Sequence, residues 1–175
     1  GLSAFRPVKG RSRSASLQFP GRSVALVDDT YNANPLSMRR MLDAAAERAA
    51  GRLFVPVLGE MLELGSQAAE EHEALGRHLA DLKPAAIFWK GGHGEDIRAG
   101  LTRGGYTGPW FEVYDAAAFA AAWAQLTASA FAENKTGGVA LFVRVGVHLF
   151  NLGRRRQDDH RLHFRLDAFN HCFRY

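Results

Sequence analysis

Residues 24–35 read VALVDDTYNANP, and this stretch decides how we interpret the chain. Its apolar start, Val24–Val27, is typical of a buried strand, and a pair of acidic residues ends the run. An amide-rich loop follows, and Ser37 stands where the N-cap of a helix over 37–50 is expected. A strand that ends in carboxylates before a helix N-terminus is a frequent nucleotide site in α/β proteins. An ordinary loop with an Asx turn has the same composition, so both interpretations stay open at this point.

The chain between residues 14 and 143 alternates strands with helices. The predicted strands cover 16–19, 24–28, 53–58, 85–89, 110–113 and 138–143, and the predicted helices cover 37–50, 67–82, 95–102 and 116–129. Pro56 weakens the third strand but does not exclude it. Strands separated by helices of this length favour βαβ units, so we predict an α/β fold with a mainly parallel sheet flanked by helices.

Composition limits the class of protein. The chain has 175 residues, of which 47% are hydrophobic, so it can bury a proper core. Its single cysteine, Cys172, permits no internal disulfide, which fits a reducing cytoplasm. No apolar run is long enough to predict a membrane span, and residues 1–7 lack the apolar core of a signal peptide.

The net charge of +4 comes from the last 35 residues alone. Residues 1–140 contain 15 Lys and Arg against 15 Asp and Glu, whereas the remaining 35 contain seven arginines and three aspartates. The run Arg154–Arg156 and the neighbouring aromatic residues raise the alternative of nucleic-acid binding. Because Asp158 and Asp159 interrupt the charge and no compact binding motif is present, we expect no nucleic-acid partner.

Common phosphate and metal motifs are missing from the sequence. It contains neither GxxxxGK[ST] nor GxGxxG after a strand, and Gly91-Gly92-His93-Gly94 has the spacing of a plain turn. His72 and His78 lie six residues apart without a third ligand nearby. We therefore predict no metal site, and we expect both histidines at the helix surface or half-buried.

Four blocks of sequence, in a consistent order and spacing, carry a family resemblance. They are FRPVKGR at 5–11, VDDTYNANPLSMR at 27–39, LGEMLELG at 58–65 and EHEALG at 71–76. Together they resemble the Mur ligase family, in particular the members that add D-alanyl-D-alanine. The resemblance implies a hinge at 1–12, leading from a central ATPase domain, and a Rossmann-like C-terminal domain at 13–143. The central domain and a UDP-sugar domain would then lie outside this chain.

The activity that the resemblance implies is the ATP-dependent formation of an amide bond. Mur ligases form an acyl phosphate from ATP and a substrate carboxylate, with Mg²⁺ bound mainly by the central domain, and an amine then displaces the phosphate. The expected acceptor is UDP-N-acetylmuramoyl-tripeptide and the expected amine is D-alanyl-D-alanine. The isolated chain is not expected to catalyse ligation. The alternative is a non-catalytic α/β module that binds a nucleotide or a protein partner.

The resemblance also assigns nucleotide-binding residues, while no catalytic residue falls in this chain. Arg11 would contact the nucleotide, with Arg13 as a substitute because the predicted hairpin before Asp29 is slightly long. Asp29 would accept hydrogen bonds from the ribose hydroxyls, as acids do at Rossmann strand ends. Asn32 and Asn34 would offer their amides to adenine or ribose.

Several neighbouring residues have a structural alternative. Asn34 precedes Pro35 and could simply brace the turn. Asp28 could pair locally instead of meeting the nucleotide. Glu60 and Glu63 are expected to shape their loop rather than perform chemistry.

The family pattern breaks after the last predicted strand. A Lys-Gly-Ser loop and a terminal helix are expected there, but residues 143–148 read VRVGVH. Residues 144–175 contain arginine but no lysine and hold four of the seven histidines. We interpret 144–175 as an atypical basic tail, which a shifted reading frame, a divergent replacement or disorder would explain.

Overall fold

The computed structural model describes residues 13–19, 22–28, 33–49, 51–129 and 138–144. The strands are β1 (Arg13–Phe19), β2 (Arg22–Asp28), β3 (Leu53–Gly59), β4 (Ile87–Lys90), β5 (Trp110–Glu112) and β6 (Val139–Arg144). The helices are α1 (Pro35–Ala49), α2 (Ala68–Leu82), α3 (Gly94–Arg103) and α4 (Ala116–Ser129), with a 3-10 turn at Gly65–Gln67. Every predicted element is present, and the ends differ from the predicted ones by three residues at most.

The six strands form one sheet in the order β1-β2-β6-β3-β4-β5. β1 and β2 are antiparallel, and Phe19 pairs with Arg22, which leaves two residues between the strands. All other neighbours in the sheet are parallel. The prediction of a mainly parallel α/β sheet is therefore confirmed.

Helices cover both faces of the sheet. On one face, Phe119 and Leu126 of α4 pack against alternate strand residues such as Val55 and Val57. On the other face, α1, α2 and α3 bury their apolar stripes against the intervening residues, including Phe54 and Leu58. Successive residues of a strand point to opposite faces, which explains why β3 reads as an almost continuous apolar run.

Pro56 lies within β3, between two paired neighbours. The carbonyl of Phe54 accepts the N–H of Ala85, so this residue faces β4. Pro56, two residues further on, faces the same side, where pairing with β4 starts only at Val57. The missing N–H of the proline therefore costs little pairing on that side.

Two of the predicted element ends have the expected local chemistry. Gly51 follows α1 with a φ of +81°, the left-handed conformation that glycine adopts readily after a helix. The carboxylate of Asp115 accepts the N–H of Ala118 at 2.8 Å and caps α4. No helix in the described part of the chain is long and apolar enough to cross a membrane.

Helices α2 and α3 approach each other through two buried glycines. A Cβ atom at Gly76 would lie 3.0 Å from the Cα of Gly100 and would collide with the carbonyl oxygen of Ile97. A Cβ atom at Gly100 would lie 2.9 Å from the Cα of Gly76. Both positions therefore need glycine for steric reasons.

Candidate site at the carboxyl edge of the sheet

The five parallel strands end at one edge of the sheet, which we call the carboxyl edge. Asp28 of β2 pairs with Val143 of β6, and Arg144 pairs with Leu58 of β3. Gly59 in turn pairs with Lys90 of β4. In open α/β sheets, ligands bind outside the carboxyl ends of the strands. This edge is therefore the candidate site.

The DDTYNANP segment starts and ends at this edge. β2 ends at Asp28, and the described chain resumes at the buried Ala33, two residues before α1. Asp29 and Asn32 fall outside the described residues, as does Arg11. Their predicted contacts with the nucleotide stay predictions.

Asn34 is described, and it is the N-cap of α1. Its side-chain oxygen accepts the N–H of Ser37 at 3.0 Å, and its carbonyl oxygen accepts the N–H of Met38 at 2.8 Å. The helix therefore begins at Pro35, and the prediction of Ser37 as the N-cap is wrong. Proline is favoured at the first helical position because its missing N–H has no helical partner to lose.

The cap defines which part of Asn34 remains for a ligand. The side-chain oxygen is engaged with the helix, so a contact with a nucleotide would fall to the amide NH₂ group. Asn34 is exposed, and it lies where the helix dipole favours negative charge. Asn34 therefore braces the turn before α1, which is the structural alternative given for it above.

The loop after β3, residues 60–64, is the second component of the edge, and we call it the edge loop. The Glu60 carboxylate accepts the N–H of Gly92 at 2.5 Å and ties this loop to the turn after β4. Glu63 has a φ of +63°, an uncommon conformation for a residue with a side chain. The contact of Glu60 agrees with the loop-shaping role expected of it.

The turn after β4 is the third component. Gly91 has a φ of +118°, and His93, which directly precedes α3, has a φ of +59°. The indole N–H of Trp89 donates to the Gly92 carbonyl at 3.0 Å. Residues 91–93 thus form a turn, as predicted, and Gly94 begins α3. The carboxylate of Glu60 accepts one N–H group of this turn.

His72 lies in the interior, which corrects the expectation of a surface or half-buried position. Its side chain has 0% exposure and lies among α2, the edge loop and the turn after β4. The sequence contained a signal for this, because residues 72, 75, 76 and 79 fall on the same buried stripe of α2. Burial lowers the pKa of the His72 imidazole below its usual value of 6.5.

The described part of the carboxyl edge offers groups that can bind and position a ligand. Among the residues placed by the structure, no group of three His, Cys, Asp or Glu side chains could hold a metal ion. What it offers is a helix N-terminus at Asn34, backbone N–H groups and shaped loops. A helix N-terminus and backbone N–H groups suit the recognition of an anionic or polar ligand.

Comparisons with known proteins agree with this architecture. The UDP-N-acetylmuramoyl-tripeptide–D-alanyl-D-alanine ligase of Mycobacterium bovis is 49% identical over 80 residues, which cover 43% of this chain and 15% of the relative. A crystal structure of MurF from Acinetobacter baumannii matches with a TM-score of 0.61 and 26% identity, over 82% of this chain and 29% of that one.

A more distant structure shares the fold. MurF ligase from Thermotoga maritima, solved in complex with ADP, matches with a TM-score of 0.63 and 23% identity, over 85% of this chain and 30% of that one. The chain therefore spans less than a third of the length of these relatives. The family described as Mur ligase, glutamate ligase domain, matches residues 16–143. The chain belongs to this Mur ligase family.

Proposed function

We propose that this chain serves as the C-terminal domain of an ATP-dependent ligase that joins D-alanyl-D-alanine to UDP-N-acetylmuramoyl-tripeptide in peptidoglycan synthesis. The observation that carries the proposal is the 49% identity to a ligase of that name. The matching fold and the groups at the carboxyl edge support it. The enzyme would work in the cytoplasm, a reducing compartment that fits its single cysteine.

The reaction requires a leaving group on the substrate carboxylate. An oxygen of this carboxylate attacks the γ-phosphorus of ATP, which gives an acyl phosphate and ADP. The amine of D-alanyl-D-alanine then attacks the acyl carbon, the C–O bond to phosphate breaks, and the amide forms with loss of a proton. Mg²⁺, which we assign to the central domain, would together with cationic groups offset the crowded negative charge.

The role of this chain would be to complete the nucleotide site by covering ATP on the side that faces away from the central domain. Asp29 would accept the ribose hydroxyls and Arg11 would contact the nucleotide. Asn32 and Asn34 would present amides to adenine or ribose. The ends of two elements support a nucleotide contact at the carboxyl edge: β2 ends there at Asp28, and α1 begins there at Pro35.

Complementation in trans tests the proposal. The full 175-residue chain is mixed with the M. bovis ligase truncated before its C-terminal domain, and phosphate release is measured with and without D-alanyl-D-alanine. We expect dipeptide-dependent turnover to appear only in the mixture. Asp29→Asn should reduce it at least tenfold, whereas Glu47→Gln, a matched loss of charge on the exposed side of α1, should leave it unchanged.

Two outcomes would contradict the proposal. A mixture that releases no more phosphate than the truncated ligase alone, with the chain folded by circular dichroism, would favour a non-catalytic binding module. Equal loss of turnover in Asp29→Asn and Glu47→Gln would contradict the assignment of Asp29 to the nucleotide.

A further inference from the structure

The buried His72 makes a specific contact with the edge loop. Its Nε2 atom accepts the backbone N–H of Met61 at 3.0 Å. Met61 is itself buried, at 2% exposure, so its amide has no access to bulk water as an alternative partner. An unpaired buried N–H is strongly unfavourable, so this single acceptor matters to the position of the loop.

The hydrogen bonds of the ring define its protonation state. Because Nε2 accepts an N–H, it cannot carry a proton. The Nδ1 atom lies 2.6 Å from the carbonyl oxygen of Ala68 and must donate to it. The ring is therefore neutral, with its proton on Nδ1.

Two aromatic rings hold the imidazole in place. His93 stacks on it with centroids 4.5 Å apart and planes 10° apart, and Trp89 meets it edge-on at 5.7 Å. His93 is oriented by Asp96, whose carboxylate lies 2.8 Å from its Nδ1. These two rings and the two hydrogen bonds of the imidazole together favour a single orientation of the ring.

We propose that His72 is a positioning residue that acts as a proton-sensitive latch: its neutral ring holds Met61 and hence the edge loop, and its protonation releases them. A protonated Nε2 is a donor, so it faces the Met61 N–H donor-to-donor and the hydrogen bond is lost. This inference concerns the chain itself and does not rest on the proposed ligase activity.

The charges around the ring determine when the latch opens. Burial lowers the pKa of His72 most, and the nearby His93 lowers it as well. The hydrogen bond to Ala68, together with Asp96 and Glu60, acts in the opposite direction. Since the pKa lies below 6.5, the latch is closed at neutral pH and opens in acid.

Amide hydrogen exchange in the full-length chain tests the latch. The protection factor of the Met61 N–H, corrected for the intrinsic rate at each pH, is measured from pH 7.5 down to the pH at which ¹⁵N chemical shifts show the His72 ring protonated. We expect it to fall by up to tenfold per pH unit as His72 takes up its proton and then to level off, while Leu58 in β3 keeps its protection. Constant protection of Met61 across this range would overturn the proposal.

Two variants separate the latch from general effects of histidine. His72→Gln keeps an acceptor of similar reach but does not titrate, so Met61 should stay protected at all pH values. His78→Gln, on the same helix, should behave as the unmodified chain. If the protection of the Met61 N–H falls with pH in His72→Gln as much as in the unmodified chain, the role of His72 is refuted.

A measurement on the unmodified chain covers the case in which the variant fails to fold. The ¹⁵N chemical shifts of the His72 ring at pH 7.5 report which nitrogen carries the proton. We expect an unprotonated Nε2 and a protonated Nδ1. The opposite tautomer, or a charged ring, would contradict the proposal.

Discussion

Replacing Gly76 with alanine tests how α2 packs on α3. The new Cβ would lie 3.0 Å from the Cα of Gly100 and closer still to the Ile97 carbonyl oxygen. Carbon atoms in contact normally lie about 3.5–4.0 Å apart, so the helices must separate by roughly 0.5–1 Å. Because both obstacles are backbone atoms, no change of side-chain rotamer can relieve the contact.

Two opposing contributions set the expected magnitude. Overpacking costs about 1–3 kcal/mol, and an unyielding backbone places this case in the upper half of that range. Alanine gains about 1 kcal/mol over glycine in a helix interior. We therefore expect Gly76→Ala to lower the free energy of unfolding by about 1–2 kcal/mol.

Urea unfolding followed by circular dichroism measures this difference. Ala120→Gly, at an exposed position within α4, serves as the control for helix propensity without packing. The double variant with Gly100→Ala should cost less than the sum of the single ones, because one separation of the helices relieves both contacts. If Gly76→Ala instead raises the free energy of unfolding by about 1 kcal/mol, helix propensity alone accounts for the change and the packing argument is wrong.

Three further perturbations have defined outcomes. Asn34→Ala should lower the free energy of unfolding by about 1 kcal/mol in urea, whereas Asn34→Ser keeps a cap; equal stability of all three chains would contradict the cap. Glu60→Ala should shift the amide proton of Gly92 upfield in NMR spectra, and Glu60→Gln should shift it less. The free energy of unfolding should fall as the pH drops below 6.5, by up to about 1.4 kcal/mol per pH unit, until His72 is protonated in the folded chain. His72→Gln should flatten this pH dependence.

The sign of the pH effect follows from His72 being harder to protonate when folded. Below pH 6.5 the unfolded chain binds a proton that the folded chain still excludes, so lowering the pH favours unfolding. At neutral pH both states are deprotonated at this residue and its contribution to stability is fully present. A stability profile that rises towards acid would contradict the burial of a neutral His72.

Local patterns were sufficient to predict the order and type of the elements. The alternation of apolar runs and helical stripes depends on neighbouring residues alone, so β3 was recognised despite Pro56. The N-cap of α1 is ambiguous in the sequence because Asn34 and Ser37 are both good capping residues. Pro35 between them was the deciding signal, since proline favours the first helical turn.

Contacts across the sheet could not be predicted in the same way. Glu60 and Gly92 are 32 residues apart, and they meet because β3 and β4 are neighbours in the sheet. A single sequence does not specify that adjacency. The burial of His72 is hard to predict because its polar type favours the surface, although its position falls on the buried stripe of α2. The partner that makes burial tolerable, the Met61 N–H, is a backbone group that sequence patterns do not reveal.

The most direct test of the central claim is the product made by a fusion protein. The M. bovis ligase, truncated before its C-terminal domain, is joined in frame to this full chain and supplied with ATP, UDP-N-acetylmuramoyl-tripeptide and D-alanyl-D-alanine. We predict that mass spectrometry detects the tripeptide substrate extended by the dipeptide, with ADP formed in equal amount. A folded fusion that yields no such product, while the intact M. bovis ligase does, would contradict the assignment of this chain to that reaction.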